Sequence, residues 1–177
     1  KGKFLSLCTF FAVLLSCSKK DKHEEPPPVN QHVKIVQEAL ATNDSLKTFS
    51  NAFAKVTITD ADAGQGLTVF APVNSAITAY DPNARVYAAE LTETEVKDHI
   101  VKGIVKKADL TNGKKLTSLS GKELVIAVEN ENIWVNGALI GEVDEDSTGI
   151  VFTIDHVLSA KPGTAEITVY DGTQWSV

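Results

Sequence analysis

An α+β domain is the fold class that this sequence predicts, on three observations. Apolar residues recur at helical spacing in the first part of the chain, short alternating runs between turn residues fill the second, and the two kinds of element are grouped, not interleaved. His32 to Ala41 sets Val33, Ile35, Val36 and Leu40 on a helical face, and Asn43-Asp44 supplies a break and a cap. Ser45 to Val56 repeats the pattern with Leu46, Phe49, Phe53 and Val56. Asp60 to Gly66 reads as a loop. Leu67-Thr68-Val69-Phe70-Ala71 is a compact apolar strand that Pro72, lacking an amide hydrogen, is expected to stop. Asn74 then caps a short helix through Tyr80. Thr92 and Glu95 have the spacing of a capping box, and the helix they open is expected to run to about Lys102 and end at Gly103.

After Asp109 the period changes. Lys115 to Leu119, Glu123 to Val128, Ile133 to Val135, Ala138 to Val143 and Ile150 to Leu158 read as strands, divided by Ser120-Gly121, Asn130, Gly137 and Asp144 to Gly149. Beyond Lys161-Pro162-Gly163, Ile167 to Tyr170 and Thr173 to Val177 flank Asp171-Gly172 as a hairpin with a tight turn. Such a hairpin either packs on the domain over an edge or groove, or serves as a docking strand with Tyr170 and Trp175 as candidate anchors.

Composition narrows the function classes. At 177 residues, 43% hydrophobic and 23% charged, the chain suits one globular domain with terminal extensions. A formal net charge of −6 offers no counterion-release drive, so no nucleic-acid partner is expected. The two cysteines, Cys8 and Cys17, both lie near the start, which excludes a disulfide framework or a cysteine-rich zinc site in the folded part. With no methionine anywhere in the chain, Lys1 is expected not to be the first residue translated.

The start reads as an address. Lys1-Gly2-Lys3 is basic, Phe4 to Leu15 is an apolar run shorter than the ~20 residues of a bilayer span, and Leu14-Leu15-Ser16-Cys17 closes it. That closing segment resembles the lipobox of bacterial lipoproteins. The resemblance implies a signal peptide over residues 1–16 and acyl chains on Cys17, and each buried methylene of such chains contributes about 0.8 kcal/mol to membrane attachment. A charged stretch from Lys19 to Glu25 and the run Pro26-Pro27-Pro28 then form a solvated tether within residues 17–31. The charges after Cys17 loosely resemble export signals of surface lipoproteins in the Bacteroidota. The expected location is therefore the cell envelope, as an outer-membrane lipoprotein with a candidate surface-exposed face.

Five segments within Val33 to Leu158 carry a second resemblance. Leu67 to Ile77, with Phe70-Ala71-Pro72 leading into Asn74, resembles the first signature of fasciclin (FAS1) domains. His99-Ile100-Val101-Lys102-Gly103 is similar to that family's central histidine segment, and Gly149 to Leu158, with Ile154-Asp155-His156-Val157-Leu158, to its second signature. Leu116 to Gly121 and Val135-Asn136-Gly137-Ala138 resemble its intervening turns. Departures occur at Val73, where the family often has Thr or Ser, at Asp98, where an aromatic is common, and at Phe152, frequently histidine. The resemblance implies a FAS1-like domain over residues 32–158: N-terminal short helices packed on an antiparallel β-sandwich or wedge, followed by a C-terminal extension, the hairpin, over residues 159–177.

The motif residues Thr68, Phe70, Pro72, Asn74, His99, Gly103, Asp155 and His156 are expected to serve packing and backbone satisfaction. Phe70 and Ile154 belong in a core, Asp155 is placed to accept from backbone amides near a strand end, and His99 reads as a hydrogen-bonded, partly buried imidazole on a helix face. Asp60-Ala61-Asp62-Ala63-Gly64 hints at a calcium loop, but the late carboxylate that such a loop requires falls at Ala71. Glu142, Asp144, Glu145 and Asp146 read as a solvated acidic turn, and His23, His32, His99 and His156 lack metal-ligand spacing. No nucleophile elbow, phosphate loop or dinucleotide fingerprint occurs, so no catalytic residue, metal or cofactor is expected. The function expected is a lipid-anchored cell-envelope adhesion or binding module for a surface protein or glycan, not an enzyme. The alternatives are an accessory subunit of an outer-membrane nutrient uptake complex and, after it, a hydrolase with paired carboxylates.

Overall fold

The computed structural model describes residues 30–80 and 91–159, together with the backbone of two short strands at Val169–Tyr170 and Trp175–Ser176. The expected signal segment, Cys17 and nearly all of the tether lie outside these residues.

Helix α1, Gln31–Thr42, starts where the Asn30 side chain accepts from the His32 amide, and it buries Val33, Val36 and Leu40. Asn43 caps a 3₁₀ turn, Asp44–Leu46, that feeds α2, Lys47–Phe53, with Phe49 and Phe53 inward. The segment read as a loop contains one helical turn, α3, Asp60–Ala63, which Thr59 caps by accepting from the Asp62 amide. Strand β1 is Leu67–Pro72, α4 is Asn74–Tyr80, and α5 is Glu93–Asp98 with both bonds of the Thr92–Glu95 capping box in place.

Helix α5 is shorter than its sequence pattern suggested. It ends at Asp98 because Ile100–Lys102 is a strand, β2, antiparallel to Leu67–Val69. A helix continuing to Lys102 would leave that edge of β1 without its ladder. After a 3₁₀ turn at Lys107–Asp109 come β3, Lys115–Thr117; β4, Glu123–Glu129; β5, Asn132–Val135; β6, Ala138–Glu145; and β7, Gly149–Ile154. Strand β7 stops well before Leu158. The β4–β5 and β5–β6 connections use Asn130, Glu131, Asn136 and Gly137 at positive φ, the conformation that matches the twist of a two-residue hairpin turn.

The seven strands run in the order β2-β1-β7-β6-β5-β4-β3. Every pair is antiparallel except the second from the β2 edge. There, β1 and β7 lie side by side in parallel, Leu67 opposite Gly149 through Pro72 opposite Ile154, so the two signature strands are direct neighbours in a mixed sheet. The two edges of the sheet approach each other through a bridge between Val101 and Ser118 and a 2.7 Å bond from the Leu119 amide to the Ile100 carbonyl. The result is a wedge that is nearly a closed barrel, the arrangement that removes exposed strand edges.

All residues of β1 and β7 are buried because helices cover one face and the barrel interior the other. Leu67, Val69, Ala71 and Val151 join Val36, Leu40, Phe49 and Phe53 on the helix side. Phe70, Ile150, Phe152 and Ile154 fill the interior with Leu124, Ile126 and Val135. Pro72 does not stop the ladder, since the Val73 amide still donates to the Ile154 carbonyl at 3.0 Å. By alternation Pro72 faces the β2 side, as Phe70 does, and the last bond on that side is the one Phe70 donates to His99. The missing amide hydrogen falls where β2 has already ended.

Strands β8, Val169–Tyr170, and β9, Trp175–Ser176, pair with each other as a separate two-stranded sheet. Tyr170 is opposite Trp175, a wider separation than a tight turn at Asp171-Gly172 would give.

Candidate functional site

The fragments that resemble fasciclin signatures converge on the β2–β1–β7 region and its two ends. Thr68 is fully buried on β1. Its hydroxyl donates to the Gly103 carbonyl at 2.8 Å and accepts from the Val105 amide at 2.9 Å. Gly103 has φ +84, the left-handed turn that lets the chain leave β2, and its amide reaches the Gly66 carbonyl at 2.9 Å. Phe70 stacks on Phe152 with ring centroids 5.3 Å apart and planes 15° apart. The position where the family often has histidine is thus an apolar partner for the strand next to it.

Asn74 is the first residue of α4 and does not cap it. Its Oδ1 accepts from the Thr48 amide at 2.9 Å and its Nδ2 donates to the Asp44 carbonyl at 2.8 Å, so the carboxamide caps the start of α2 instead. Helix α4 starts on the carbonyl of Val73, which accepts from Ala76 and Ile77, and Val73 packs its own side chain against the helix-side core.

His99 follows α5 instead of lying within it, and it is wholly buried. Its Nδ1 is 2.7 Å from the Glu95 carbonyl, and the Leu158 amide donates to its Nε2 at 3.0 Å. A carbonyl can only accept and an amide N–H can only donate, so the tautomer is fixed with the proton on Nδ1. Burial lowers its pKa to about 4, against the smaller raising effects of the Glu95 carbonyl and of Asp98. The ring edge meets Phe49 at 5.5 Å.

Next to His99, Asp98 gathers groups that sequence reasoning did not single out. It accepts from the Ser120 hydroxyl and, at 2.7 Å, from that of Ser159, and it lies 3.6 Å from the Lys122 ammonium. Lys122 also donates to the Leu158 carbonyl. The departure from an aromatic at position 98 was the available signal, since a carboxylate there requires donors close by. At the far end of β7, Asp155 Oδ1 accepts from the Leu139 amide at 2.7 Å and lies 2.8 Å from Nδ1 of the exposed His156. Cys17 lies outside the described residues, as do the side chains of Tyr170 and Trp175.

Other arrangements offer less. A groove of about 140 Å³ between α1 and the β6–β7 pair is lined by Thr42, Leu46, Glu142, Asp144 and Thr153 among others, small beside the ~300–1,000 Å³ of small-molecule sites. Asp146 is held below the usual carboxylate range by bonds from Thr148, and Glu145 accepts from the Lys107 amide. Asp62 is lowered chiefly by its bond to Lys102, 2.6 Å away, so α3 closes on a lysine. Among the described residues no group of three or more His, Cys, Asp or Glu is placed to hold a metal, and no helix is long and apolar enough to cross a membrane.

The chain is 26% identical over 127 residues to transforming growth factor-beta-induced protein ig-h3 of Oryctolagus cuniculus, a match covering 71% of this chain and 18% of that protein. It spans, therefore, less than a fifth of that relative's length. Among solved structures it is similar to a FAS1 domain pair from the insect cell adhesion molecule fasciclin I, at 17% identity and a TM-score of 0.46, over 66% of this chain and 46% of the other. Residues 44–160, more than half of the chain, match the family description of the fasciclin domain, and the chain belongs to that family.

Proposed function

We propose that this chain is a lipid-anchored binding module of the cell envelope, attached through acyl chains on Cys17 and working by surface contact with a protein or glycan, not by catalysis. Fasciclin domains act as cell-adhesion or binding modules, which supports the general class. The observation that carries the contact reading is the spending of the motif residues. The polar atoms of Thr68, Asn74 and His99 are bonded to the chain's own backbone, Asp155 accepts from the Leu139 amide as well as meeting His156, and no buried side-chain nitrogen or oxygen among the described residues lacks a partner. A reactive site keeps polar groups available to substrate, whereas a contact module requires a rigid body and an outer surface.

The test is crosslinking on intact cells, with Cys17→Ser in parallel. Capture of a defined surface protein or glycan, lost when the variant leaves the membrane fraction, supports the reading. An unmodified Cys17 removes the anchor, and normal attachment of cells lacking the protein, with nothing captured, removes the contact role.

A second reading, an accessory subunit of an outer-membrane uptake complex, is favoured by the separate β8–β9 sheet. A two-stranded hairpin is marginal by itself and gains stability from a third surface. Copurification with and without Ala165 to Val177 separates the two, since unchanged recovery of partners after truncation rules out docking by the hairpin.

A further inference from the structure

The segment that leaves β7 is gripped at three consecutive points where the C-terminal extension begins. Neutral His99 accepts from the Leu158 amide at 3.0 Å, Lys122 donates to the Leu158 carbonyl, and Asp98 accepts from the Ser159 hydroxyl at 2.7 Å. The grips come from different elements: Asp98 and His99 end α5, and Lys122 lies between β3 and β4. The held residues are nearly inaccessible, Leu158 at 7% and Ser159 at 8% exposure. The start of the domain is fastened elsewhere, His32 to the Thr148 carbonyl and Asn30 to Asp60.

We propose that Asp98, His99 and Lys122 form an acid-released latch on Leu158–Ser159. Neutral His99 fixes the exit of the C-terminal extension against the end of the barrel, and a proton arriving at its Nε2 replaces the acceptor by a donor and frees that segment.

Every group around the imidazole bears on this. On α5, the Glu95 carbonyl already holds the Nδ1 proton and cannot relieve Nε2, and the Glu95 carboxylate is bonded to Tyr80 and to Thr92. Asp98 favours a cation at His99, but its oxygens are occupied by Ser120, Ser159 and Lys122. The Lys122 ammonium opposes a second positive charge. Helix α2 presents only the uncharged ring of Phe49. An imidazolium at Nε2 therefore confronts the Leu158 N–H, donor against donor, with no acceptor within the latch. Opening hydrates the ring, and the free energy of protonation is recovered in the open form. The latch does not depend on which partner the module meets.

Amide hydrogen exchange of the full chain at pH 7 and pH 5, corrected for the intrinsic effect of pH, tests the proposal. With His99 shifted from 6.5 to about 4 in the closed form and ordinary in the open one, the open population at Leu158 rises roughly twentyfold over that interval. Val151 in the centre of β7 reports global opening, which also exposes His99 and gains the same factor, so a latch that opens by itself shows as Leu158 exchanging faster than Val151 at both pH values. In His99→Gln the side-chain oxygen still accepts from Leu158 but does not titrate, so the acid response of Leu158 disappears. Exchange at Leu158 that tracks Val151 at both pH values overturns the latch, as does an undiminished acid response in the glutamine variant. If that variant does not fold, the wild-type ratio of Leu158 to Val151 protection decides alone.

Discussion

Replacing Thr68 by valine removes one oxygen from the centre of the sheet at almost constant shape. That hydroxyl satisfies two backbone groups at once, the Gly103 carbonyl at 2.8 Å and the Val105 amide at 2.9 Å, on the loop that leaves β2. Each buried polar group left without a partner costs about 1–3 kcal/mol, and since Gly103 and Val105 are only half-buried the lower part of that range applies. The pair therefore costs about 2–3 kcal/mol. Thr68→Ser keeps both bonds and loses one methyl, about 1 kcal/mol. Guanidinium unfolding followed by circular dichroism separates the two variants. With m of about 4 kcal/mol/M, the valine midpoint falls by about 0.6 M and the serine midpoint by about 0.25 M. If packing alone mattered, the order would invert, because valine conserves volume and serine does not. A valine variant as stable as the serine variant refutes the reasoning.

Four further outcomes follow from the same contacts. Phe152→Ala empties the site stacked on Phe70 and lowers stability by about 3–5 kcal/mol in the same unfolding assay. Gly149→Ala sets a Cβ 2.7 Å from Val36 Cγ2, and overpacking between α1 and β7 costs about 1–3 kcal/mol, which Val36→Ala should partly restore in a double-mutant cycle. Asn74→Ala removes the cap from α2 and costs about 1 kcal/mol, whereas Asn74→Asp keeps the acceptor for Thr48 and recovers part of it. Global stability falls with acid as well. The unfolded chain protonates His99 near 6.5 while the folded chain resists until about 4, so its contribution is complete above pH 6.5 and lost as pH falls toward 4, by about 3 kcal/mol across the full interval. Denaturation midpoints between pH 7 and 4.5 measure it, and His99→Gln should flatten the curve.

Where local chemistry decides the structure, the sequence was sufficient. The Thr92–Glu95 box forms as its spacing predicts, and Asn136-Gly137 makes its turn because few residues accept positive φ. Where a distant partner decides, it was not. Ile100–Lys102 has apolar spacing compatible with a helix, and only the neighbouring β1 makes it a strand. Asn74 carries capping chemistry, but the amide within its reach belongs to α2 and not to its own helix. The alternation that predicted strands gives no parallel sense, so an antiparallel sheet was expected and the parallel β1–β7 pair was not legible. At the candidate latch, His99 with its hydrogen-bonded state and the unusual carboxylate at Asp98 were accessible from the sequence, while the partners Lys122, Ser120 and Ser159 were not, because their meeting depends on barrel closure.

The parallel alignment of β1 with β7 also governs when the molecule can assemble. Leu67 stands near the front of the domain and its neighbour Gly149 near the back, so this ladder cannot close until synthesis has passed β7. Contacts between such remote positions require a large loop to be ordered before any reward, which slows folding and leaves the early apolar segments uncovered meanwhile. A nascent chain that has passed Pro72 but not Ile154 carries the first helices and β1 without their β7 neighbour, and the apolar face they share stays open until that strand arrives.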